Sequence, residues 1–139
     1  GCGLYSTGLF IEKCKNVYSC EMQNKEWYIK IKNQFDNTNL VINYFEEKDN
    51  PSPDAKFLAI EYLKFLGKKF DLIFVDGHKD SRWLCINESS KYTDIIVTHD
   101  TEDRNNYHWP RVNLPDNWVR HDVKKISPWT TYWINNEVF

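Results

Sequence analysis

The opening of the chain constrains its fold more than any other part. Residues 1–7 read GCGLYST, a glycine-rich turn that leads into a helical pattern, and Glu21 follows Gly3 by 18 positions. In a nucleotide-binding βαβ unit, the glycines let the backbone approach the cofactor. An acidic residue about 20 positions on, at the end of the second strand, binds the ribose hydroxyls. Because residues 16–20 read as a short strand, Glu21 fits this role, and the pattern predicts a nucleotide site.

Two simpler interpretations of this opening stay open. The glycines also suit an ordinary turn from strand to helix, and Glu21 also suits a solvated carboxylate at a strand end. Ser6 stands where a dinucleotide fingerprint has its third glycine, which normally permits close helix–strand packing, so the pattern counts against a dinucleotide fold.

The strand that precedes the glycines in such a unit is the central strand of its sheet, and the sequence begins after it. We therefore expect a single domain over residues 1–139, truncated before the glycine-rich loop. A sheet that lacks its central strand exposes backbone edges on two neighbours, so self-association is expected as well.

Strand and helix signals alternate along the rest of the chain. Helices are predicted over 5–14, from an Asn24 cap to about residue 35, over 52–66 and over 82–90; strands are predicted over 16–21, 40–45, 70–75 and 94–98; residues 101–116 are irregular, and 118–126 with 130–134 form a hairpin. Alternating strands and helices imply parallel pairing with right-handed crossovers. The predicted fold class is α/β, with a Rossmann-like, mostly parallel sheet and a C-terminal antiparallel hairpin.

Composition excludes several classes of partner. The formal net charge is −2, which gives no electrostatic footprint for nucleic acid or an anionic membrane. No apolar run approaches the roughly 18 residues of a transmembrane span. The four cysteines lack zinc-site spacing and are predicted to be buried free thiols, which favours a cytoplasmic location.

Polar residues follow two apolar segments that are consecutive strands in the prediction. Asp76 and His78 come after residues 70–75, and His99 and Asp100 come after residues 94–98. Ligands bind at the carboxyl edge of open α/β sheets, so these side chains are predicted to converge on one cleft. Carboxylates with imidazoles suit general-base chemistry or a divalent metal. The alternatives are that Asp76 caps the next helix and that His99 only packs.

The order of these motifs resembles the class I S-adenosylmethionine-dependent methyltransferases. The residues that carry the resemblance are GCGLYST over 1–7, Glu21 with Trp27 six positions on, VDGH over 75–78 and THD over 98–100. The similarity is strongest to the small-molecule O-methyltransferase-like group, and the closing hairpin matches that fold's antiparallel last strands.

The resemblance implies a role for each matched residue. Glu21 would hold the cofactor ribose, Met22 would flank the adenine, and Asp76 would lie near the sulfonium. The residues expected against the methionine moiety are Gly1, Gly3, Tyr5 and Ser6.

The resemblance leaves two routes for deprotonating an acceptor. In the metal-dependent branch, Asp76 and Asp100 would ligate magnesium, although this chain has His-Asp at 99–100 where that branch has an Asp or Asn pair. Without a metal, His78 or His99 would be the base.

The expected function is methyl transfer from S-adenosylmethionine to an oxygen of a small molecule or sugar, with a nitrogen acceptor less favoured. Two alternatives are a degenerate methyltransferase-like binding module without activity and a nicotinamide-dependent oxidoreductase. The aromatic segment from Tyr107 to Trp118 would either line a substrate pocket or pack onto the sheet.

Overall fold

A computed structural model of the chain describes residues 3–22, 24–45, 58–102, 108–125 and 127–138. The described elements are α1 (Leu4–Lys13), β1 (Val17–Glu21), α2 (Lys25–Gln34), β2 (Leu40–Tyr44), α3 (Leu58–Leu66), β3 (Ile73–Val75), α4 (Arg82–Ser89), β4 (Ile95–His99), a short 3₁₀ helix (Trp109–Arg111), β5 (Trp118–Val123) and β6 (Thr130–Asn135). The chain is thus a mixed α/β protein. It divides into two compact units, Gly1–Leu58 and Ala59–Phe139.

The first unit contains a two-stranded parallel ladder, in which β1 pairs with β2. The α2 helix begins at the predicted cap, because the side chain of Asn24 accepts a hydrogen bond from the Trp27 N–H at 2.9 Å. Its apolar stripe faces inward, with Ile31 fully buried. Parallel pairing of β1 and β2 is the arrangement that the alternating pattern predicts.

The second unit contains a four-stranded sheet in the order β3-β4-β6-β5. The β3 and β4 strands are parallel, whereas β6 runs antiparallel to both β4 and β5. The predicted C-terminal hairpin is therefore confirmed, and its second strand lies between β4 and β5.

The core of the second unit lies against this sheet. Its buried members are Ile60, Val75, Cys85, Ile86, Ile96, Trp109 and Trp133. Burial of each large apolar side chain contributes roughly 1.5–3 kcal/mol. Along β6 the fully buried residues alternate with less buried ones, because successive side chains of a strand point to opposite faces.

Several sequence predictions need adjustment. The Rossmann-like single sheet is not confirmed, because the strands of the described residues form two separate ladders. The predicted strand over 70–75 is shorter: Phe70 makes an isolated bridge to Thr93, a bend at Asp71 interrupts the ladder, and β3 starts at Ile73. The predicted start of the helix over 52–66 lies outside the described residues.

The cysteine prediction is correct only in part. Cys85 is buried and Cys20 is half-buried, but Cys14 is exposed because it follows the last turn of α1. Burial raises the pKa of the Cys20 thiol, so this thiol is a poor nucleophile. Cys2 lies outside the described residues.

Among the described helices, none combines the length and the apolar character needed to span a bilayer.

Candidate functional site

The register of β3 and β4 brings two loops to one edge of the second unit's sheet. Val75 lies opposite Thr98, so the residues that follow each of them leave the sheet side by side. The two strand ends are also joined through a side chain, since the buried Thr98 hydroxyl donates to the Val75 carbonyl oxygen at 2.6 Å. This pairing fixes the relative position of Asp76 and His99.

Asp76, His99 and Asp100 meet at this edge as the sequence predicted. Each offers one ligand atom, and these atoms lie within 4.8 Å of one another. The two carboxylates and the imidazole are about one-third exposed, at 29%, 32% and 36%. We call these three residues the Asp–His–Asp cluster. Its geometry allows the three side chains to act on one bound group.

A buried arginine, which was not among the residues predicted from the sequence, contacts this cluster. The Arg82 side chain is only 5% exposed and makes ion-pair contacts to Asp76 at 3.2 Å and to Asp100 at 3.6 Å. It also donates to the carbonyl oxygen of His99 at 2.8 Å and twice to that of Gly77, at 2.9 and 3.2 Å. Arg82 therefore connects the loops after β3 and β4.

The position of Arg82 at the start of its helix is unfavourable for a buried positive charge. Arg82 is the first residue of α4, where the helix dipole disfavours a positive charge. A charge at such a position would normally be solvated, and burying it is costly unless it is paired. Two carboxylates and two carbonyl oxygens supply that pairing, so the charge balance of the site explains the burial of Arg82.

His99 and Asp100 form an oriented pair. The Nδ1 atom of His99 lies 3.2 Å from Oδ1 of Asp100. The negative charge of this carboxylate would favour a proton on Nδ1, and the lone pair of the neutral imidazole would then lie on Nε2. Asp100 adopts a positive φ of 58°, a conformation that Asp tolerates better than most residues. This arrangement suits a base at His99 Nε2.

His78 has the opposite arrangement. The backbone N–H of Asp80 donates to His78 Nδ1 at 3.3 Å, so the neutral ring carries its proton on Nε2. The carboxylate of Asp80 also lies 3.7 Å from His78 Nδ1 and 3.5 Å from His108 Nε2. His78 is therefore placed as a hydrogen-bond donor, and of the two predicted bases the geometry favours His99.

The segment after Asp100 is held by a second set of contacts. The Glu102 carboxylate accepts from the Trp129 N–H at 2.8 Å and from the Ser127 hydroxyl at 3.1 Å, and the Thr101 N–H donates to the Trp129 carbonyl at 3.2 Å. The backbone N–H groups of Glu102 itself and of Trp129 lower the pKa of Glu102, together with the Ser127 hydroxyl. These bonds attach the loop that carries Asp100 to the connection between β5 and β6.

The residues predicted to bind the nucleotide lie in the first unit. Gly3 directly precedes α1, and its carbonyl accepts the Thr7 N–H at 2.9 Å. Glu21 ends β1 as predicted; it is 4% exposed, and its carboxylate accepts the Met22 N–H at 3.0 Å. The other predicted contacts differ in exposure: Met22 is 7% exposed, Tyr5 is 94% exposed, Ser6 is half-buried, and Gly1 lies outside the described residues.

The aromatic segment after β4 packs at least in part. Trp109 is buried in the core of the second unit, and Trp118 packs against that core. These two residues pack onto the second unit as the packing interpretation predicts. Tyr107 lies outside the described residues.

No known protein family matches the chain when it is compared with family-level sequence profiles. Comparison with curated proteins gives no match either.

Proposed function

We propose that this chain transfers a methyl group from S-adenosylmethionine to an oxygen of a small molecule or sugar, with a nitrogen acceptor less favoured. The main support is the edge shared by β3 and β4, where the His99 imidazole lies next to the carboxylates of Asp76 and Asp100. The strand order adds to it, because the antiparallel β6 next to β4 agrees with the closing hairpin that the methyltransferase resemblance implies.

Two features of the first unit support the nucleoside part of the proposal. Glu21 places a carboxylate at the carboxyl end of β1, and α1 begins directly after Gly3, where its first N–H groups favour electronegative atoms. Glu21 would bind the ribose hydroxyls. The cofactor would supply an electrophilic methyl group on a sulfonium.

His99 is the proposed base. As the acceptor oxygen forms its bond to the methyl carbon and the carbon–sulfur bond breaks, the hydroxyl proton would pass to His99 Nε2. Asp100 would stabilise the resulting imidazolium through Nδ1. The remaining contribution of the protein is alignment, since displacement at a methyl carbon needs the nucleophile and the leaving group in line.

Cofactor binding tests the proposal first. Calorimetry with S-adenosylmethionine should show binding, and Glu21→Gln should weaken it by about 1–3 kcal/mol, the value of a hydrogen bond to a charged group. Glu26→Gln is the matched control, because Glu26 is an exposed carboxylate in the first turn of α2. Equal affinity in the two variants would contradict the role of Glu21.

The alternatives have their own outcomes in the same assay. Binding of a nicotinamide nucleotide in place of S-adenosylmethionine would support the oxidoreductase, and binding of neither would support the inactive binding module. Either result would overturn the proposal.

Turnover separates the two histidines. With a labelled methyl donor and a panel of phenols and sugars, His99→Gln should lower kcat by roughly 10²–10⁴, the usual contribution of a general base. His78→Gln should have a much smaller effect, because Asp80 already donates to its Nδ1 atom. The reverse order would show that the base is assigned to the wrong residue.

A further inference from the structure

We infer that Arg82 is the resident cation of the Asp–His–Asp cluster: its guanidinium holds the two carboxylates in place and its charge keeps divalent cations out. This inference concerns metal binding by the chain and does not depend on the proposed methyl transfer.

The guanidinium of Arg82 forms hydrogen bonds to residues of both loops that carry the Asp–His–Asp cluster. Its three guanidinium nitrogens all donate, with Nε and Nη2 reaching Gly77 O, Nη1 reaching His99 O, and Nη2 also reaching Asp76 Oδ1. Nη1 lies 3.6 Å from Asp100 Oδ2 as well. The planar fork of arginine suits simultaneous pairing with several oxygens, which a lysine ammonium cannot reproduce.

The charge of Arg82 changes what the cluster can bind. Without it, two carboxylates and a neutral imidazole would carry a charge of −2, and their ligand atoms lie close enough to meet at one ion. With it, the net charge is −1, and any ion bound by both carboxylates would lie near a buried positive charge. Repulsion between like charges is strong at such short range in a partly desolvated site.

Magnesium fits this donor set poorly for a second reason. It prefers near-octahedral oxygen ligands at about 2.0–2.1 Å, and one of the three donors here is an imidazole nitrogen. Two observations therefore count against the predicted magnesium ion at Asp76 and Asp100: the imidazole among the donors and the contacts of Arg82.

Cobalt binding tests the inference, because the visible absorption of Co²⁺ reports ligation and mixed imidazole–carboxylate sites accept this ion. In titrations at neutral pH, Arg82→Gln should bind one Co²⁺ at least about tenfold more tightly than the wild type, since the repelling charge is gone. Arg82→Lys should bind Co²⁺ more weakly than Arg82→Gln, because it keeps the positive charge even though an ammonium makes fewer contacts than the guanidinium. Adding Asp100→Asn to Arg82→Gln should abolish the gain.

Two results would overturn the inference in these variants. One is an Arg82→Gln protein that binds Co²⁺ no better than the wild type, and the other is an Arg82→Lys protein that binds it as well as Arg82→Gln. Circular dichroism establishes that each variant is folded.

A second measurement needs no change at Arg82. The wild type and Asp100→Asn should show the same weak Co²⁺ absorption, because Arg82 excludes the ion from the cluster in both. A wild-type cobalt site that disappears in Asp100→Asn would refute the inference even if the Arg82 variants failed to fold. The measurement uses no methyl donor or acceptor, so its failure is distinct from failure of the proposed function.

Discussion

Two buried threonines near the site should respond in opposite directions to the same substitution. Thr98 is 0% exposed and its hydroxyl donates to the Val75 carbonyl at 2.6 Å. Thr101 is 2% exposed, and its hydroxyl has no hydrogen-bond partner among the described residues. Replacement of each by valine keeps the side-chain shape, so the hydroxyl group is the variable.

The expected magnitudes follow from these environments. Thr98→Val loses a net hydrogen bond and removes a donor from the Val75 carbonyl, so the free energy of unfolding should fall by about 1–2 kcal/mol. Thr101→Val removes a hydroxyl that is buried without compensation, so the free energy of unfolding should rise by roughly 1 kcal/mol. The two variants should therefore differ by about 2–3 kcal/mol.

Urea unfolding followed by tryptophan fluorescence and circular dichroism measures this difference. With slopes of about 1–3 kcal/mol per molar urea for small proteins, the two midpoints should lie about 1 M apart at unchanged slope. If Thr101→Val destabilises the protein as much as Thr98→Val does, the hydroxyl of Thr101 has a partner in solution and the reasoning is wrong.

Two further substitutions test features away from the site. Burial raises the pKa of Asp122, but the Thr131 hydroxyl and Arg120 outweigh it and hold that pKa below its ordinary value of 3.8. Because Asp122 is largely exposed and its charge is screened by solvent, Asp122→Asn should lower the free energy of unfolding by only about 0.5–1 kcal/mol above pH 3.8. In acid-unfolding curves, the difference in stability between the wild type and Asp122→Asn should vanish as the pH falls through the lowered pKa of Asp122. A difference that does not change with pH would contradict this prediction. Gly8→Ala should raise the midpoint of thermal unfolding, because glycine in a helix interior costs about 0.5–1 kcal/mol relative to alanine. The added methyl group would meet only the Phe35 ring, at 3.5 Å. A lowered midpoint would show that the ring cannot accommodate the methyl group.

Much of the site's framework could be predicted from local patterns. The apolar segments before Asp76 and His99 are consecutive along the chain, and consecutive parallel strands usually pair, so their following residues share an edge. The hairpin could be predicted from the alternation of apolar and polar residues on either side of Ser127 and Pro128, because this alternation is a local signal of a strand.

The central feature of the site could not be predicted in this way. Arg82 reads in the sequence as a charged residue at a helix start, which is normally solvated, and its burial depends on oxygen atoms from two other loops. The distinction between His78 and His99 is also set by geometry, because it depends on which neighbouring group contacts Nδ1. Residue type and spacing carry no information on either point.

The place of β6 in the sheet has a consequence for how the second unit folds during synthesis. β4 lies between β3 and β6, yet β6 is made about 30 residues after β4, and it brings Thr131 and Trp133 into the buried layer. A nascent chain that has emerged only as far as β5 would have β3 and β4 but would lack the strand that covers the other side of β4. The loop carrying Asp100 would also lack Trp129 and Ser127, which bind Glu102. The Asp–His–Asp cluster should therefore acquire its final geometry only after β6 has left the ribosome.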